Sequence, residues 1–223
     1  MKTLVIAAHP DDEILGVGGT ILKRIESKHE VYILILCDCL APRNDELLIE
    51  NVRSISCKIA KKISISKLFQ AKLGTNTNQR LDELPFKLVI DSIQKIINLV
   101  KPDEIFTHHH SDWNTDHQIA FKATISASRT INKFLVKKIF SYEVASSTEQ
   151  APNMNKYVFL PNKFIEISKF LDKKLEILSM YKSEIFSFPH TRSLKYVELQ
   201  AKLWGAKNGI DAAEAFYIVR DIE

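Results

Sequence analysis

Cysteine is scarce in this chain: Cys37, Cys39 and Cys57 are the only three in 223 residues. An odd number, in a sequence long enough to bury a core of its own, excludes a disulfide framework as the organising device. Free thiols in a reducing cytosol are expected instead. Cys37-Asp38-Cys39 carries metal-binding atoms but lacks the two-residue spacing of zinc knuckles. Long runs of one charge sign are missing as well. The net charge is +4, yet Lys and Arg fall in short clusters such as Lys61-Lys62, Lys137-Lys138 and Lys173-Lys174, with no interleaved aromatic stripe, which argues against nucleic acid as a partner. No apolar run approaches the roughly 20 residues of a membrane span. Met1-Lys2 leads straight into a short strand-like run, too short for a secretory core. A cytoplasmic protein without a membrane span is expected. Internal repeats, low-complexity tracts and a composition break are also absent, so residues 1–223 read as one domain.

Glycine is sparse too, six in all. Gly16-Val17-Gly18-Gly19 follows a predicted strand as a dinucleotide loop would, but it lacks the G-x-G-x-x-G spacing. The preceding Asp11, Asp12 and Glu13 would repel a pyrophosphate. Close helix packing is the expected role of these glycines.

What the chain does have is alternation. Leu4 to Ala8 is a continuous apolar run of the kind buried on both faces of a parallel sheet. A helix is predicted from Ile14 to Ile25, a strand over Val31–Cys37, a loop over Ala41–Asp45, a helix from Leu47 to Lys62 and a strand over Ser64–Phe69. A polar loop, Gly74 to Gln79, precedes a helix that starts at Pro85 and runs to Val100. Glu104–Thr107 reads as a strand, Asp116–Ile131 as a helix, and Phe140 as lying near a strand end. Tyr157–Leu160, Phe164–Ile167 and Ala215–Val219 are short strand candidates. Ser168 and Ser193 are placed to cap the last two helices. Strands alternating with helices predict an α/β fold with a mostly parallel sheet.

Two clusters of ionisable residues stand out, each just past a predicted strand. The first is His9-Pro10-Asp11-Asp12-Glu13, and the second is His108-His109-His110-Ser111-Asp112-Trp113-Asn114-Thr115-Asp116-His117. Either one alone also reads as a solvated turn or an exposed loop. In a parallel sheet, however, both strand ends face one edge, where α/β sites form. So many carboxylates and imidazoles at one point are costly without a cation, and a divalent metal is the simplest candidate. His9 and Asp12, three apart at a strand-to-helix turn, can converge on an ion such as Zn²⁺. A catalytic zinc needs a third protein ligand, which the second cluster can supply.

Ala8-His9-Pro10-Asp11-Asp12-Glu13, then Gly18-Gly19, then Asp116-His117, resemble the LmbE/PIG-L family of zinc-dependent N-deacetylases. The resemblance continues through Arg80-Leu81-Asp82-Glu83-Leu84-Pro85, Lys101-Pro102-Asp103, Thr107-His108-His109, Glu143-Val144-Ala145-Ser146-Ser147-Thr148-Glu149, Tyr181-x-Ser183-Glu184 and Pro189-His190-x-Arg192-Ser193. It implies a Rossmann-like three-layer α/β sandwich and a hydrolase that removes acetyl from an N-acetylated sugar or sugar conjugate. It further implies His9, Asp12 and His117 as ligands of Zn²⁺ or another divalent metal, Asp11 as general base, and Asp116 as the residue that fixes a neighbouring imidazole. Arg53 stands where the family often has an arginine, while Ser56 stands where glutamate is common. Asn114 replaces a family histidine thought to help stabilise the oxyanion, and an amide cannot carry that positive charge. His190 is the candidate replacement, with His110 behind it. Sugar specificity is expected from loops Gly74–Arg80 and Ser146–Pro152, with Arg80, Asp82 and Glu149 as candidate substrate contacts. The same site could instead cleave another amide, such as a thiol conjugate, or bind metal or ligand without turnover. Assembly into a homo-oligomer is possible on the same resemblance.

Overall fold

The structure is a computed structural model, which describes residues 1–37, 46–74, 80–132, 134–154 and 157–223. The predicted loop at 41–45, Asp38 and Cys39, and residues 75–79 lie outside the described residues. Seven strands form one sheet: β1 (Lys2–Ala7), β2 (Glu30–Cys37), β3 (Lys67–Leu73), β4 (Glu104–His108), β5 (Lys138–Tyr142), β6 (Lys163–Glu166) and β7 (Ala213–Asp221). Their spatial order is β3-β2-β1-β4-β5-β7-β6. The first five run parallel, whereas β7 is antiparallel to β5 and β6 antiparallel to β7. Among the described residues six α-helices cover the two faces: α1 (Asp12–Glu26), α2 (Glu46–Lys62), α3 (Phe86–Val100), α4 (Thr115–Ala127), α5 (Leu171–Leu178) and α6 (Leu194–Ala206).

The side-chain period of a strand builds the three layers directly. Along β1, Val5 and Ala7 point into one apolar layer with Val17 and Ile21 of α1, Val52 and Ile59 of α2, Ile177 of α5 and Val197 of α6. Leu4, Ile6 and the following Ala8 point into the other, against Val89, Ile93 and Ile97 of α3 and Ala120 and Ala123 of α4. Leu4 to Ala8 are fully buried, which is why that run is apolar at every position rather than at alternate ones.

Differences from the sequence reading have local causes. Helix α4 ends at Ala127, where the Ser128 N–H returns to Thr124 and Ile125, so Ile131 lies outside it and is exposed. Tyr157–Leu160 is not a strand but a turn and irregular chain, with the Tyr157 ring against Trp113 and the Phe159 ring against His109 and Trp204. Ser168 opens a short 3₁₀ turn ahead of α5, while Ser193 does cap α6, its Oγ accepting the Tyr196 N–H at 3.1 Å. Among the described residues no helix is long and apolar enough to cross a membrane. Cys37 is buried and Cys57 exposed.

Candidate functional site

Because β1 and β4 are parallel neighbours, the turn after β1 and the segment after β4 emerge side by side at one sheet edge. The Ala8 N–H donates to His108 Nε2 at 2.8 Å, and its carbonyl accepts the Cys37 N–H at 2.8 Å, so three adjacent strand ends are tied together. The His9 N–H donates to Asp12 Oδ2 at 2.8 Å. Between them Asp11 adopts φ 101°, ψ −32°, a conformation disfavoured for any residue with a Cβ and maintained only where its surroundings over-determine it. They do so here. The Asp11 carbonyl accepts the N–H groups of Ile14 and Leu15 as α1 begins, and its N–H donates to Glu13 Oε2 at 3.0 Å. Glu13 Oε1 in turn accepts the Tyr181 hydroxyl at 2.7 Å, and that hydroxyl sits 3.1 Å from Ser56 Oγ on α2.

His9, Asp12 and His117 are all buried, and one ligand atom from each lies within 4.8 Å of the others. His9 Nδ1 is 3.5 Å and His117 Nε2 3.4 Å from Asp12 Oδ2. The opposite nitrogen of each imidazole meets a further carboxylate: His9 Nε2 is 2.9 Å from Asp116 Oδ2, and His117 Nδ1 is 3.2 Å from Asp112 Oδ1. Such outer partners fix ring orientation and tautomer in metal-ligating histidines. Asp12 Oδ1 and His117 Nε2 are buried without a hydrogen-bond partner, so donor atoms aimed inward await a cation rather than each other. Two imidazole nitrogens and a carboxylate oxygen are a donor set that suits Zn²⁺, and the trio could hold a metal ion.

The charges follow this arrangement. Burial opposes the protonation of His9, but hydrogen bonds to Asp116 and Asp12 outweigh it and push its pKa up to about 9. Burial likewise opposes His117, and Asp12 and Asp112 push it up to about 10. Asp12 is held well below the usual carboxylate range, its burial overcome by His117 and its other imidazole neighbours. His108 stacks on His117 with ring centroids 4.0 Å apart, and burial drives it down to about 3. It therefore stays neutral and packs flat against the His117 ring. Burial pushes Asp11 up to about 8 against the pull of Arg192.

The other sequence-predicted residues occupy defined places. Asn114 is the N-cap of α4: its Oδ1 accepts the Asp116 N–H at 2.9 Å, and its own N–H donates to Asp112 Oδ1 at 2.8 Å. Arg80 is half-buried beside Asp82 at 3.7 Å, and the next residue, Leu81, donates its N–H to Asp116 Oδ1 at 3.0 Å, tying this loop to the site. His110 is exposed and packs on Phe121 and His109. His190 is exposed, with its ring against Phe186 and its Nδ1 accepting the Arg192 N–H at 3.0 Å. Arg53 is half-buried on α2, one turn before Ser56. Glu149 accepts the Ser146 N–H at 2.8 Å.

Sequence reasoning missed several residues that the fold brings in. Asp112 accepts hydrogen bonds from Ser147 Oγ and Thr148 Oγ1 while facing His117. Arg192 places its guanidinium 3.0 Å from Asp11 Oδ2, 3.0 Å from Glu184 Oε2 and 2.7 Å from Ser146 Oγ. The signal for Ser147 and Thr148 was their position just past β5, on the edge where β1 and β4 also end.

Over residues 4–128 the sequence matches the protein family described as PIG-L, GlcNAc-PI de-N-acetylase. Among solved structures, N,N′-diacetylchitobiose deacetylase from Pyrococcus horikoshii aligns with a TM-score of 0.76 at 22% identity, covering 98% of this chain and 84% of that one. The zinc-inhibited form of teicoplanin deacetylase Orf2 aligns at 0.77 and 14% identity over 100% of both chains. GalB, the 4-carboxy-2-hydroxymuconate hydratase from Pseudomonas putida KT2440, aligns at 0.76 and 18% identity over 100% and 98%. At these identities the likeness is one of fold, and by their names these proteins span two kinds of reaction.

Proposed function

The chain belongs to the PIG-L family, and on that premise we propose that it is a zinc-dependent deacetylase that hydrolyses the acetamide of an N-acetylated sugar or sugar conjugate. The observation that carries this reading is a pairing at one sheet edge. A buried donor trio stands beside a second buried carboxylate, Asp11, whose Oδ1 has no hydrogen-bond partner. A site built only to store metal is closed, with no spare base next to it.

His9, Asp12 and His117 would hold the ion, with Asp116 and Asp112 steering the two imidazoles. When bound, the ion supplies Lewis acidity toward a water molecule and toward the substrate carbonyl. Asp11 takes one proton from the attacking water at Oδ1 as the oxygen–carbon bond forms. It returns that proton to the nitrogen as the carbon–nitrogen bond breaks, giving a free amine and acetic acid, which releases its remaining proton as acetate leaves. His190 accepts the Arg192 N–H at Nδ1, so in its neutral form its proton sits on Nε2, where it can donate to substrate oxygen. The Asn114 amide nitrogen, Arg80, Arg53 and His110 are assigned to the sugar. Ser147 and Arg192 lie beyond the matched stretch yet reach the centre, so residues 1–223 are read as one acting unit.

The test is acetate release by zinc-loaded protein from N-acetylglucosamine, N,N′-diacetylchitobiose and an N-acetylglucosaminyl thiol conjugate, with metal content measured in parallel. Asp11→Asn is expected to keep zinc and lose about 10²-fold or more in rate, while His9→Ala loses both. Wild-type turnover by Asp11→Asn would remove Asp11 as base. Loaded protein that frees acetate from none of the panel would overturn the deacetylase reading.

A further inference from the structure

Asp11 is held from two sides, at its backbone and at its side chain. Its N–H is held by Glu13, which is held by the Tyr181 hydroxyl. Its carboxylate is held by Arg192, which is held by Glu184 and Ser146. The two sides meet, because the Glu184 N–H donates to the Tyr181 carbonyl at 2.9 Å. A closed circuit therefore runs from the Asp11 backbone through Glu13, Tyr181, Glu184 and Arg192 back to the Asp11 side chain.

The position of Arg192 is itself secured. The Phe186 N–H donates to the Arg192 carbonyl at 3.3 Å, the Arg192 N–H to His190 Nδ1, and the Ser193 N–H to the His190 carbonyl at 3.0 Å. The guanidinium spans three acceptors on three separate parts of the chain, Nη1 facing Asp11 and Glu184 and Nε facing Ser146, a fixed planar spread that the single nitrogen of an ammonium does not reproduce. It engages Asp11 Oδ2 and leaves Oδ1 buried and unpartnered. Its third anchor, Ser146, adjoins Ser147, whose Oγ lies 3.1 Å from His117 Nδ1. One short segment thus sets both the clamp on the base and the outer side of a ligand imidazole.

We propose that Arg192 is a positioning residue: it fixes one oxygen of Asp11 so that the other is presented to the reacting water. This rests on the reading of Asp11 as the base. Without the clamp, a carboxylate on a strained backbone is free to rotate about χ1 and χ2, and misplacing a catalytic group by about 1 Å costs on the order of 10²-fold in rate. The guanidinium's contacts are Asp11, Glu184 and Ser146 and none of the trio, so metal affinity and substrate KM are expected to be spared.

The experiment compares wild type with Arg192→Ala and Arg192→Lys by crystal structure, zinc content and steady-state acetate release. The expected result is full zinc loading, an Asp11 carboxylate turned away from its wild-type position in Arg192→Ala, and kcat lowered about 10–100-fold with KM within about twofold. Arg192→Lys falls between, because it keeps the charge but loses the fork. Millimolar guanidinium is expected to restore part of kcat to Arg192→Ala and none to Asp11→Asn. An unchanged Asp11 carboxylate in Arg192→Ala, or unchanged kcat in either variant while Asp11→Asn is inactive, would overturn the clamp and leave the base in place. An active Asp11→Asn would instead overturn the base reading beneath it. Should Arg192→Ala fail to fold, the carboxylate position in Arg192→Lys decides the same question.

Discussion

At the scale of single residues, Asp112 shows how an imidazole's behaviour is settled by the group on its far side. His117 can offer Nε2 to an ion only while Nδ1 carries the proton, and Asp112 Oδ1 at 3.2 Å is the acceptor that keeps it there. Ser147, Thr148 and the Asn114 N–H occupy the rest of that carboxylate, so it cannot swing away. Its pKa is accordingly lowered: burial is overcome by His117 and these donors. Asp112→Ala should weaken zinc binding about 10–100-fold in chelator competition, since loss of an outer partner frees the ring to flip. Unchanged affinity would mean that Asp112 only closes the 147–148 loop. What was legible in the sequence is that His9, Asp12 and the cluster holding His117 follow strands that must end on one edge; His117 in particular was singled out by the family resemblance. The roles of Asp112 and Arg192 were not legible. A carboxylate beside several others has no pattern that says which imidazole it faces, and Arg192 arrives from an irregular segment with no periodicity to place it.

At the scale of elements, α1 is where the sparse glycines act. A Cβ on Gly16 would lie 2.2 Å from the Tyr142 ring and 2.9 Å from the Glu143 carbonyl oxygen, and one on Gly19 would lie 2.7 Å from the Ile167 side chain. These positions let α1 settle directly on β5 and on the chain that leads to α5, as the spacing argument against a dinucleotide loop implied. Gly16→Ala gains about 1 kcal/mol of helix propensity. The overpacking costs about 1–3 kcal/mol and wins, because the Glu143 carbonyl is backbone and cannot step aside. The ring that would have to move is also the one whose hydroxyl donates to the Ile6 carbonyl at 2.8 Å and lies 3.3 Å from His108 Nε2. Gly16→Ala should therefore lower the melting temperature by several degrees and disturb the site at the same time. A variant as stable as wild type would show that α1 can shift as a body. Strand and helix identities were readable from period and length. The 157–160 segment misled because a short apolar run does not say what it packs against; here Tyr157 and Phe159 pack on Trp113, His109 and Trp204 outside the sheet.

At the scale of the whole molecule, the layer beneath α1 holds polar groups that a sequence reading has no means to gather. Lys174 of α5 and Glu214 of β7 form a buried ion pair at 2.7 Å. Glu214 also accepts the N–H groups of Gly19 and Thr20, and Lys174 donates to the Leu15 carbonyl. Beside them Glu143, just after β5, accepts the indole N–H of Trp204 on α6. Burial pushes Glu143 from its ordinary 4.5 up to about 7, in spite of that hydrogen bond and the charge of Lys174. The sign of the consequence follows from proton counts. Below pH 4.5 the folded and unfolded chains are both protonated at this position, and the group contributes nothing to pH dependence. Between 4.5 and about 7 only the folded chain keeps the proton, so stability falls as pH rises; above about 7 the deficit is complete, on the order of 1–3 kcal/mol. Glu143→Gln retains an acceptor for Trp204 but cannot ionise. Its melting temperature should match wild type near pH 4.5 and exceed it by several degrees at pH 8, as read by thermal unfolding across that range. An equal difference at both ends would show that the carboxyl ionises in the fold as easily as in water, and that the cluster beneath α1 is open to solvent.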